Sequence, residues 1–412
     1  MIFDMFSDEF KEDPYKVFKK MRREAPVCRA NMLSKWAVFL HDDVKAILQN
    51  PKLWSSSAWA KDPAILPELN DHLGPESMIS MDPPRHTRLR RIIAPVFGKN
   101  QVSKFEGKVR SLVENLAERM LRKDEFDFVR DFSMPLPMTI ISDLLGVEAH
   151  RGEDFKEWTR LTTNLFPVIM MQGEEREQQI ARVITAQQEF TAYLKGLIEA
   201  RRREPKDDLL SRITHAKVDG DELSLPELNS FAKLLLVGGN ETTQNLIGNI
   251  MILFKNRPDL KEQLIREPEI MDGFIDEALR YCPPVYGAMR TPTTEVEMHG
   301  EVIRPGEKVF ALMASADHDE SVHEEPEKFD VHRDHSRIMP FGLGVHTCLG
   351  LHLAKLEVRV ALETLLPELE RMEITDFAWL PSALVRGPEH LTVRYKRSPA
   401  SISLPSDGEV RV

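Results

Sequence analysis

Apolar side chains recur at helical spacing over most of this chain. The pattern predicts helices over residues 41–49, 104–122, 136–145, 153–166, 174–203, 224–256, 269–281 and 351–366. Alternating stretches predict short strands at 36–40, 289–291, 295–299, 301–303 and 307–311, and a hairpin within 383–395. Because helices dominate, we expect a mainly α fold with small β-sheets.

The longest predicted helix, 224–256, has an interior that is unusual for a buried helix. It begins with a capping box and would be about 45–50 Å long. Gly238 and Gly239 lie side by side in its middle, where each costs about 1 kcal/mol relative to alanine. The Thr242 hydroxyl can donate to the Gly238 carbonyl one turn earlier, beside the acid Glu241. Either a polar site or a close glycine-mediated helix crossing explains this arrangement.

A glycine-rich loop, 341–350, places Cys348 directly before the last long helix. Glycine permits tight turns and close backbone approach. Free amide groups at a helix N-terminus stabilise a thiolate, so we expect the pKa of Cys348 to be lowered. The loop therefore predicts a thiolate that binds a metal. Zinc would need further ligands beside His346 and His352, and no second cluster of Cys or His follows at ligand spacing.

Composition and charge exclude several classes of protein. The chain has 412 residues and a net charge of −11, which argues against nucleic-acid binding. No run approaches 18 apolar residues, and the acidic N-terminus does not resemble a signal peptide, so we expect a cytoplasmic protein without membrane attachment. The three cysteines form no disulfide framework. Since no linker or repeat divides the chain, we expect one domain over 1–397 and a loose tail over 398–412. We also expect a monomer.

Four motifs taken together resemble the cytochrome P450 family, in particular its soluble bacterial class. The motifs are Phe341-x-x-Gly344-x-His346-x-Cys348-x-Gly350, Glu277-x-x-Arg280, Gly238-Gly239-x-Glu241-Thr242-Thr243 and His86-x-x-x-Arg90. The resemblance covers about 13–395, with the motifs in the family's order. It implies the cytochrome P450 fold, with haem b between the long central helix and the helix after the cysteine. The chain departs from the family pattern at two positions, with glycine for alanine at 238 and asparagine for histidine at 240.

The resemblance also implies a role for each motif. Cys348 is expected to be the axial ligand of the haem iron, with Phe341 shielding its sulfur and Gly350 allowing close approach. Above the haem, Glu241 is expected to relay protons and Thr242 to hold oxygen and its water. The residues expected to contact the haem propionates are His86, Arg90, Arg290 and His346. The residues expected to brace the cysteine loop are Glu277, Arg280 and Arg333.

Without the resemblance, two of these motifs have simpler interpretations. His86 and Arg90 lie on one helical face and would also fit a solvated basic surface. Glu277 and Arg280 would fit an ordinary surface pair, which contributes about 0.3–0.5 kcal/mol.

A hydrophobic, adaptable substrate pocket is expected around the segments 54–79 and 166–171. Further pocket positions are Leu234, Val237, Gly238, Val285, Met289 and Leu384. Each of these would also fit ordinary core packing. Steroid, terpenoid, fatty acid and macrolide substrates all remain open, with a slight preference for a steroid or a terpenoid.

The two electrons for O2 activation are expected to come from a separate ferredoxin and its reductase. A basic patch on this acidic protein would dock an acidic ferredoxin through charge. The predicted patch consists of Arg88, Arg91, Arg333, Arg337 and Arg359. Scattered solvated charge is the alternative.

The leading prediction is a haem-thiolate monooxygenase that hydroxylates a hydrophobic small molecule. One alternative is a haem-thiolate enzyme that does not activate O2, either a peroxide-driven hydroxylase or a nitric oxide reductase. Another is a non-catalytic haem-binding sensor. The resemblance favours the monooxygenase, because peroxide-driven members acting on fatty acids typically lack the acid–alcohol pair found here at Glu241 and Thr242.

Overall fold

The computed structural model describes residues 1–31, 35–57, 76–163, 171, 173–382 and 384–397. Most of the predicted pocket segments 54–79 and 166–171, and the whole tail 398–412, lie outside the described residues. Helices account for most of the described chain and the sheets are small, which confirms the predicted fold class. None of the helices in these ranges is long and apolar enough to cross a bilayer.

The helices form close to where the hydrophobic pattern predicts them. The α-helices in the described ranges are α1 (Asp8–Glu12), α2 (Pro14–Glu24), α3 (His41–Gln49), α4 (Arg85–Ile93), α5 (Lys99–Val102), α6 (Glu106–Leu121), α7 (Pro135–Leu145), α8 (Gly152–Thr163), α9 (Gly173–Arg203), α10 (Leu209–Thr214), α11 (Leu225–Asn256), α12 (Pro258–Arg266), α13 (Met271–Tyr281), α14 (Met313–Ala316) and α15 (Leu351–Leu365). Short 3-10 segments include Met78–Ser80, His335–Arg337, Gly344–His346 and Leu366–Arg371, and Val129–Ser133 is a π-helix.

The strands in the described part of the chain are short and form four small sheets. They are β1 (Ile2–Asp4), β2 (Val27–Asn31), β3 (Trp36–Val38), β4 (Trp54–Ser55), β5 (Glu125–Asp127), β6 (Lys217–Val218), β7 (Asp221–Glu222), β8 (Ala288–Pro292), β9 (Val296–Met298), β10 (Glu301–Ile303), β11 (Val309–Ala311), β12 (Met372–Trp379) and β13 (Pro388–Tyr395). The largest sheet has the order β1-β2-β3-β11-β8-β4, with Phe310 of β11 opposite Ala37 on one side and Met289 on the other.

The C-terminal hairpin differs from the prediction. The sequence pattern predicts both of its strands within 383–395, whereas the structure pairs β13 with β12, which lies earlier in the chain. β13 also pairs with β5, so that the order of this sheet is β12-β13-β5. The polar residues of β12 hide its alternation, because much of the strand is only half-buried or exposed.

The helix α11 runs through the centre of the fold and organises its core. Its 32 residues extend about 48 Å. The predicted capping box is present: the Ser224 hydroxyl accepts from the Glu227 amide, and the Glu227 carboxylate accepts from the Ser224 amide. Every residue from 245 to 254 is buried. Helices α7, α9 and α15 all contact α11, so the helix that follows the cysteine loop packs on the same core.

Candidate active site

The cysteine loop is closed by its own backbone. The Cys348 amide donates to the Phe341 carbonyl at 2.8 Å, and the Thr347 amide donates to the Gly344 carbonyl at 3.2 Å. Gly344 has φ +71°, and a Cβ there would lie 2.8 Å from the Leu48 carbonyl oxygen, so no other residue fits without a shift. The loop therefore delivers Cys348 to the N-terminus of α15 in a defined position.

The thiol of Cys348 lies among groups with opposing effects on its pKa. Burial raises the pKa above its ordinary value, while the amides of Gly350 and Leu351 and the charge of Arg90 lower it. Arg90 itself is held by the loop, since its Nη2 donates to the Thr347 carbonyl at 2.5 Å. The expected net lowering of the pKa is therefore wrong for the polypeptide, because desolvation outweighs the helix N-terminus.

Two buried side chains, His86 and Arg290, converge with the half-buried His346 beside the loop. The rings of His86 and His346 have centroids 4.1 Å apart, and His86 is only 1% exposed. Burial lowers the pKa of His86 to about 4 and that of His346 to about 3. Burial also lowers the pKa of Arg290 to about 10, and the Arg290 charge further lowers the pKa of both histidines. The sequence motifs alone place only His86 and Arg90 near each other.

This cluster has hydrogen-bonding capacity that the described protein atoms do not use. Both ring nitrogens of His86 and the Nε2 of His346 are buried without a partner among the described residues. An unpaired buried polar atom costs about 1–3 kcal/mol, so such a group calls for a ligand. The two propionates of the expected haem would supply acceptors for these nitrogens and a counter-charge for Arg290. The residues present therefore fit haem, and Arg90 and Arg290 would complete the cation set.

The middle of α11 carries the predicted acid–alcohol pair. The Thr242 hydroxyl donates to the Gly238 carbonyl at 2.8 Å, which confirms the predicted bond. Burial raises the pKa of Glu241 to about 7. A Cβ on Gly239 would lie 2.4 Å from Ile141 Cδ1 on α7, whereas a Cβ on Gly238 would meet nothing within 4 Å. The glycine pair thus combines a close helix crossing with an open space beside Thr242.

Glu277 is the centre of the network that braces the loop. The predicted contacts are confirmed: Arg280 donates to Glu277 at 2.9 and 2.8 Å, and Arg333 Nε donates at 3.3 Å. Two further donors are the amide of Asp330 at 2.9 Å and the ring of His335 at 3.0 Å. Sequence reasoning missed His335 because it lies in the irregular segment 317–339, where no periodicity points to it.

The brace is connected to the cysteine loop through Asp317. Arg280 Nη1 donates to the Asp317 carbonyl at 2.9 Å, and the Asp317 carboxylate accepts from the Met339 amide at 2.8 Å. Met339 in turn accepts the Gly342 amide at 2.9 Å. A displacement of Glu277 would therefore be transmitted to the cysteine loop through Arg280, Asp317 and Met339.

The predicted pocket positions are partly brought together. Val285 lies opposite Val385 in an isolated antiparallel bridge, next to Leu384, which is 36% exposed. Leu234, Val237 and Met289 are half-buried, and Gly238 is exposed. Leu234, Val285 and Met289 also pack against core clusters, so each has a structural role as well. A surface groove of about 380 Å³ between α8 and α9 contains none of the predicted site residues.

The predicted basic patch is largely neutralised. Arg88 pairs with Asp221 at 2.7 Å and with Glu227 at 2.6 Å. Arg333 belongs to the brace. The remaining two pairs are Arg91 with Asp219 at 3.1 Å and Arg359 with Glu106 at 3.2 Å. The expectation of a patch made of all five arginines is therefore wrong, because acids from distant segments fold against them.

Comparisons with known proteins agree on one family. The family model described as Cytochrome P450 matches residues 2–374. Cytochrome P450 107B1 of Saccharopolyspora erythraea is 35% identical over 405 residues, which cover 94% of this chain and 96% of that protein. The solved structure of CYP109Q5 from Chondromyces apiculatus matches with a TM-score of 0.85 at 32% identity, covering 96% of this chain and 99% of its own. CYP109E1 from Bacillus megaterium, solved in complex with corticosterone, matches with a TM-score of 0.83 at 30% identity, covering 94% and 100%.

Proposed function

The chain belongs to the cytochrome P450 family, and on that basis we propose that it hydroxylates an apolar molecule of about steroid size beside Glu241 and Thr242. Proteins of this family bind haem b, and relatives of this chain are named monooxygenases or hydroxylases. When bound, haem supplies the iron that activates O2, and a cysteine thiolate on that iron favours cleavage of the O–O bond. We assign Cys348 as this ligand, and His86, Arg90, Arg290 and His346 as the propionate contacts.

The observation that carries this proposal is the acid–alcohol pair beside the open space at Gly238. The Thr242 hydrogen is committed to the Gly238 carbonyl at 2.8 Å, so the Thr242 oxygen is available as an acceptor for water. Glu241 has a pKa of about 7, so near neutral pH it can both release and recover a proton. Together the two side chains can hold a water and deliver protons to the place where oxygen reacts.

The proposed substrate is apolar because the proposed pocket positions carry no charge. Leu234, Val237, Val285 and Met289 are aliphatic or thioether side chains, and all four are half-buried. Such a surface binds ligands through burial of apolar area. The related CYP109E1 has been solved with corticosterone, which supports the steroid class.

We propose that electrons arrive from a ferredoxin, itself reduced by a ferredoxin reductase, at a smaller site than the sequence predicts. Lys99 and Arg337 are exposed and form no ion pair with another described residue. Burial lowers the pKa of His352 in the first turn of α15, and the charge of Lys99 lowers it further, so Lys99 lies close to that turn. Lys99 beside α15, and Arg337 four positions before the cysteine loop, would attract an acidic carrier to the side of the fold that holds Cys348. The expected result is that the double variant K99E/R337E slows reduction by ferredoxin at low salt and that high salt removes the difference.

The function is tested on the reconstituted holoenzyme with ferredoxin, its reductase, NAD(P)H and corticosterone under isotopically labelled O2. We expect one labelled oxygen atom in a hydroxylated steroid, and a red-shifted Soret band in the reduced, CO-bound protein. A Soret band at the position of imidazole-ligated haem would refute the thiolate assignment. Absence of labelled product, despite a spin-state shift with corticosterone, would refute the monooxygenase role. If corticosterone causes no shift, a screen of apolar ligands replaces it and only the steroid assignment fails.

A further inference from the structure

One buried amide on α11 joins two segments that are far apart in the chain. Asn249 is 2% exposed. Its Nδ2 donates to the Cys282 carbonyl at 3.1 Å and to the Arg386 carbonyl at 3.0 Å. Asparagine is unfavourable in a helix interior, because its side-chain amide competes for the hydrogen bonds of the backbone. The two hydrogen bonds explain why this position carries an amide.

The two segments also pair with each other. The Tyr286 amide donates to the Leu384 carbonyl at 3.0 Å, and the Arg386 amide donates to the Pro284 carbonyl at 2.9 Å. Val285 lies opposite Val385 between these two bonds. We call residues 282–286 and 384–387 the paired wall. It contains two of the proposed pocket positions, Val285 and Leu384.

Close packing leaves the paired wall no room to move against α11. A Cβ on Gly387 would lie 2.2 Å from Asn245 Cγ, and a Cβ on Gly248 would lie 2.5 Å from Pro388 Cγ. Asn245 is fully buried at this contact. The helix therefore approaches the wall at backbone distance along residues 245–249, and Asn249 supplies the hydrogen bonds between them.

The same face of α11 carries Thr242. At 100° per residue, Thr242, Asn245 and Asn249 lie within one helical face, and Thr242 is about 10 Å from Asn249 along the axis. Because a helix is rigid over this length, the two hydrogen bonds of Asn249 hold the paired wall at a fixed distance from Thr242. A misplacement of about 1 Å at a reacting centre can lower the rate about a hundredfold. The distance between the wall and Thr242 therefore affects which bond of the ligand reacts.

We propose that Asn249 is a positioning residue that sets the distance between the paired wall and Thr242, and so decides which C–H bond of a large ligand is presented. The inference rests on the proposed function, since it takes Val285 and Leu384 as pocket residues. Asn249 contacts the paired wall through the Cys282 and Arg386 carbonyls, and its effect on a ligand is indirect. It acts through the wall.

The test compares a large and a small iron-binding ligand on the holoenzyme. Phenylimidazole and imidazole are titrated by difference spectroscopy in the wild type and in Asn249→Leu, which keeps the branch at Cγ in a larger side chain but removes both hydrogen bonds. We expect the Kd of phenylimidazole to change by about three- to tenfold, the equivalent of one or two buried hydrogen bonds. The Kd of imidazole, which does not reach the wall, should change by less than about twofold. The ratio of hydroxylated products from a turned-over steroid should change as well.

Two further variants separate positioning from simple destabilisation. Ile250→Val removes one methylene from a fully buried neighbour on α11 and should leave the ratio of the two Kd values unchanged. Gly387→Ala keeps Asn249 but pushes the wall from Asn245, so it should reproduce the effect of Asn249→Leu. It also serves as the test if Asn249→Leu fails to retain haem.

Failure of the positioning role of Asn249 and failure of the proposed function give different outcomes. If the wild type binds imidazole and gives the thiolate CO spectrum, but the Kd ratio in Asn249→Leu and Gly387→Ala equals that in Ile250→Val, the positioning role is refuted and the function stands. If the wild type gives neither signal, the proposed function fails first. Hydrogen exchange gives an independent readout: the Tyr286 and Arg386 amides should lose protection in Asn249→Leu, while the Cys348 amide should not.

Discussion

Replacing Glu277 by glutamine should destabilise the protein more than any exposed charge change. The carboxylate is 0% exposed and accepts five hydrogen bonds, from Arg280 twice and from Asp330, Arg333 and His335. Glutamine keeps the shape of the side chain but removes the charge and one acceptor oxygen. Arg280, itself fully buried, then loses its counter-ion.

The magnitude follows from the pKa of Glu277. Burial alone would raise it, but hydrogen bonds from His335 and Arg280 outweigh burial and lower the pKa to about 2 from the ordinary 4.5. Such a shift corresponds to about 3 kcal/mol of stabilisation at neutral pH. Removing one partner of a buried ion pair costs about 3–5 kcal/mol in general, so we expect a loss of about 3 kcal/mol.

The sign of the pH dependence gives a second check. Because the pKa of Glu277 is lower in the folded state, its contribution is complete above about pH 4.5 and is lost as the pH falls toward about 2. The difference in unfolding free energy between wild type and Glu277→Gln should therefore shrink over that range of pH and be constant above it.

The assay is urea unfolding of the holoenzyme, followed by circular dichroism, together with the reduced CO spectrum. Because Asp317 connects the brace to the loop, Glu277→Gln should also shift part of the Soret band away from the thiolate position. The control is Glu297→Gln, an exposed change that should stay within about 0.5 kcal/mol of the wild type. A loss below about 1 kcal/mol in Glu277→Gln would contradict the reasoning, because it would mean that the buried charge is not held by these five bonds.

Three further predictions concern the proposed site. Thr242→Ala should release peroxide and lower the product formed per NAD(P)H, while Thr242→Ser, which keeps the hydroxyl, stays near the wild type; unchanged coupling in the alanine variant would exclude the role in holding water. Glu241→Gln should lower turnover by about a hundredfold. It should also flatten the pH profile expected of the wild type around the Glu241 pKa of about 7, where the acid changes from neutral below to charged above. His86→Leu should weaken haem retention by about tenfold or more, measured by transfer to apomyoglobin, whereas His390→Leu, at a half-buried histidine on β13, should not; equal retention in both would remove His86 from the haem contacts.

The sequence by itself determined most of the helices and the location of the chemistry. Helix formation depends on residues three and four apart and on local caps, so the capping box and the apolar spacing predict α11 within one residue of its observed bounds. The bond from Thr242 to the Gly238 carbonyl is local in the same sense. The spacing around Cys348 likewise identifies the loop without any knowledge of its neighbours.

Only the tertiary structure decided burial, and with it the charge state and partners of these groups. The ion pair of Glu277 and Arg280 would contribute little to stability at a surface. The segment 317–339 covers it, however, and His335 joins the pair from that segment. Arg88 looks free in the sequence, yet it pairs with Asp221, 133 positions away. Asn249 gains its role only because Arg386 and Cys282 fold against it. The pKa of Cys348 was wrongly predicted for the same reason: desolvation depends on packing from distant segments, which no local pattern encodes.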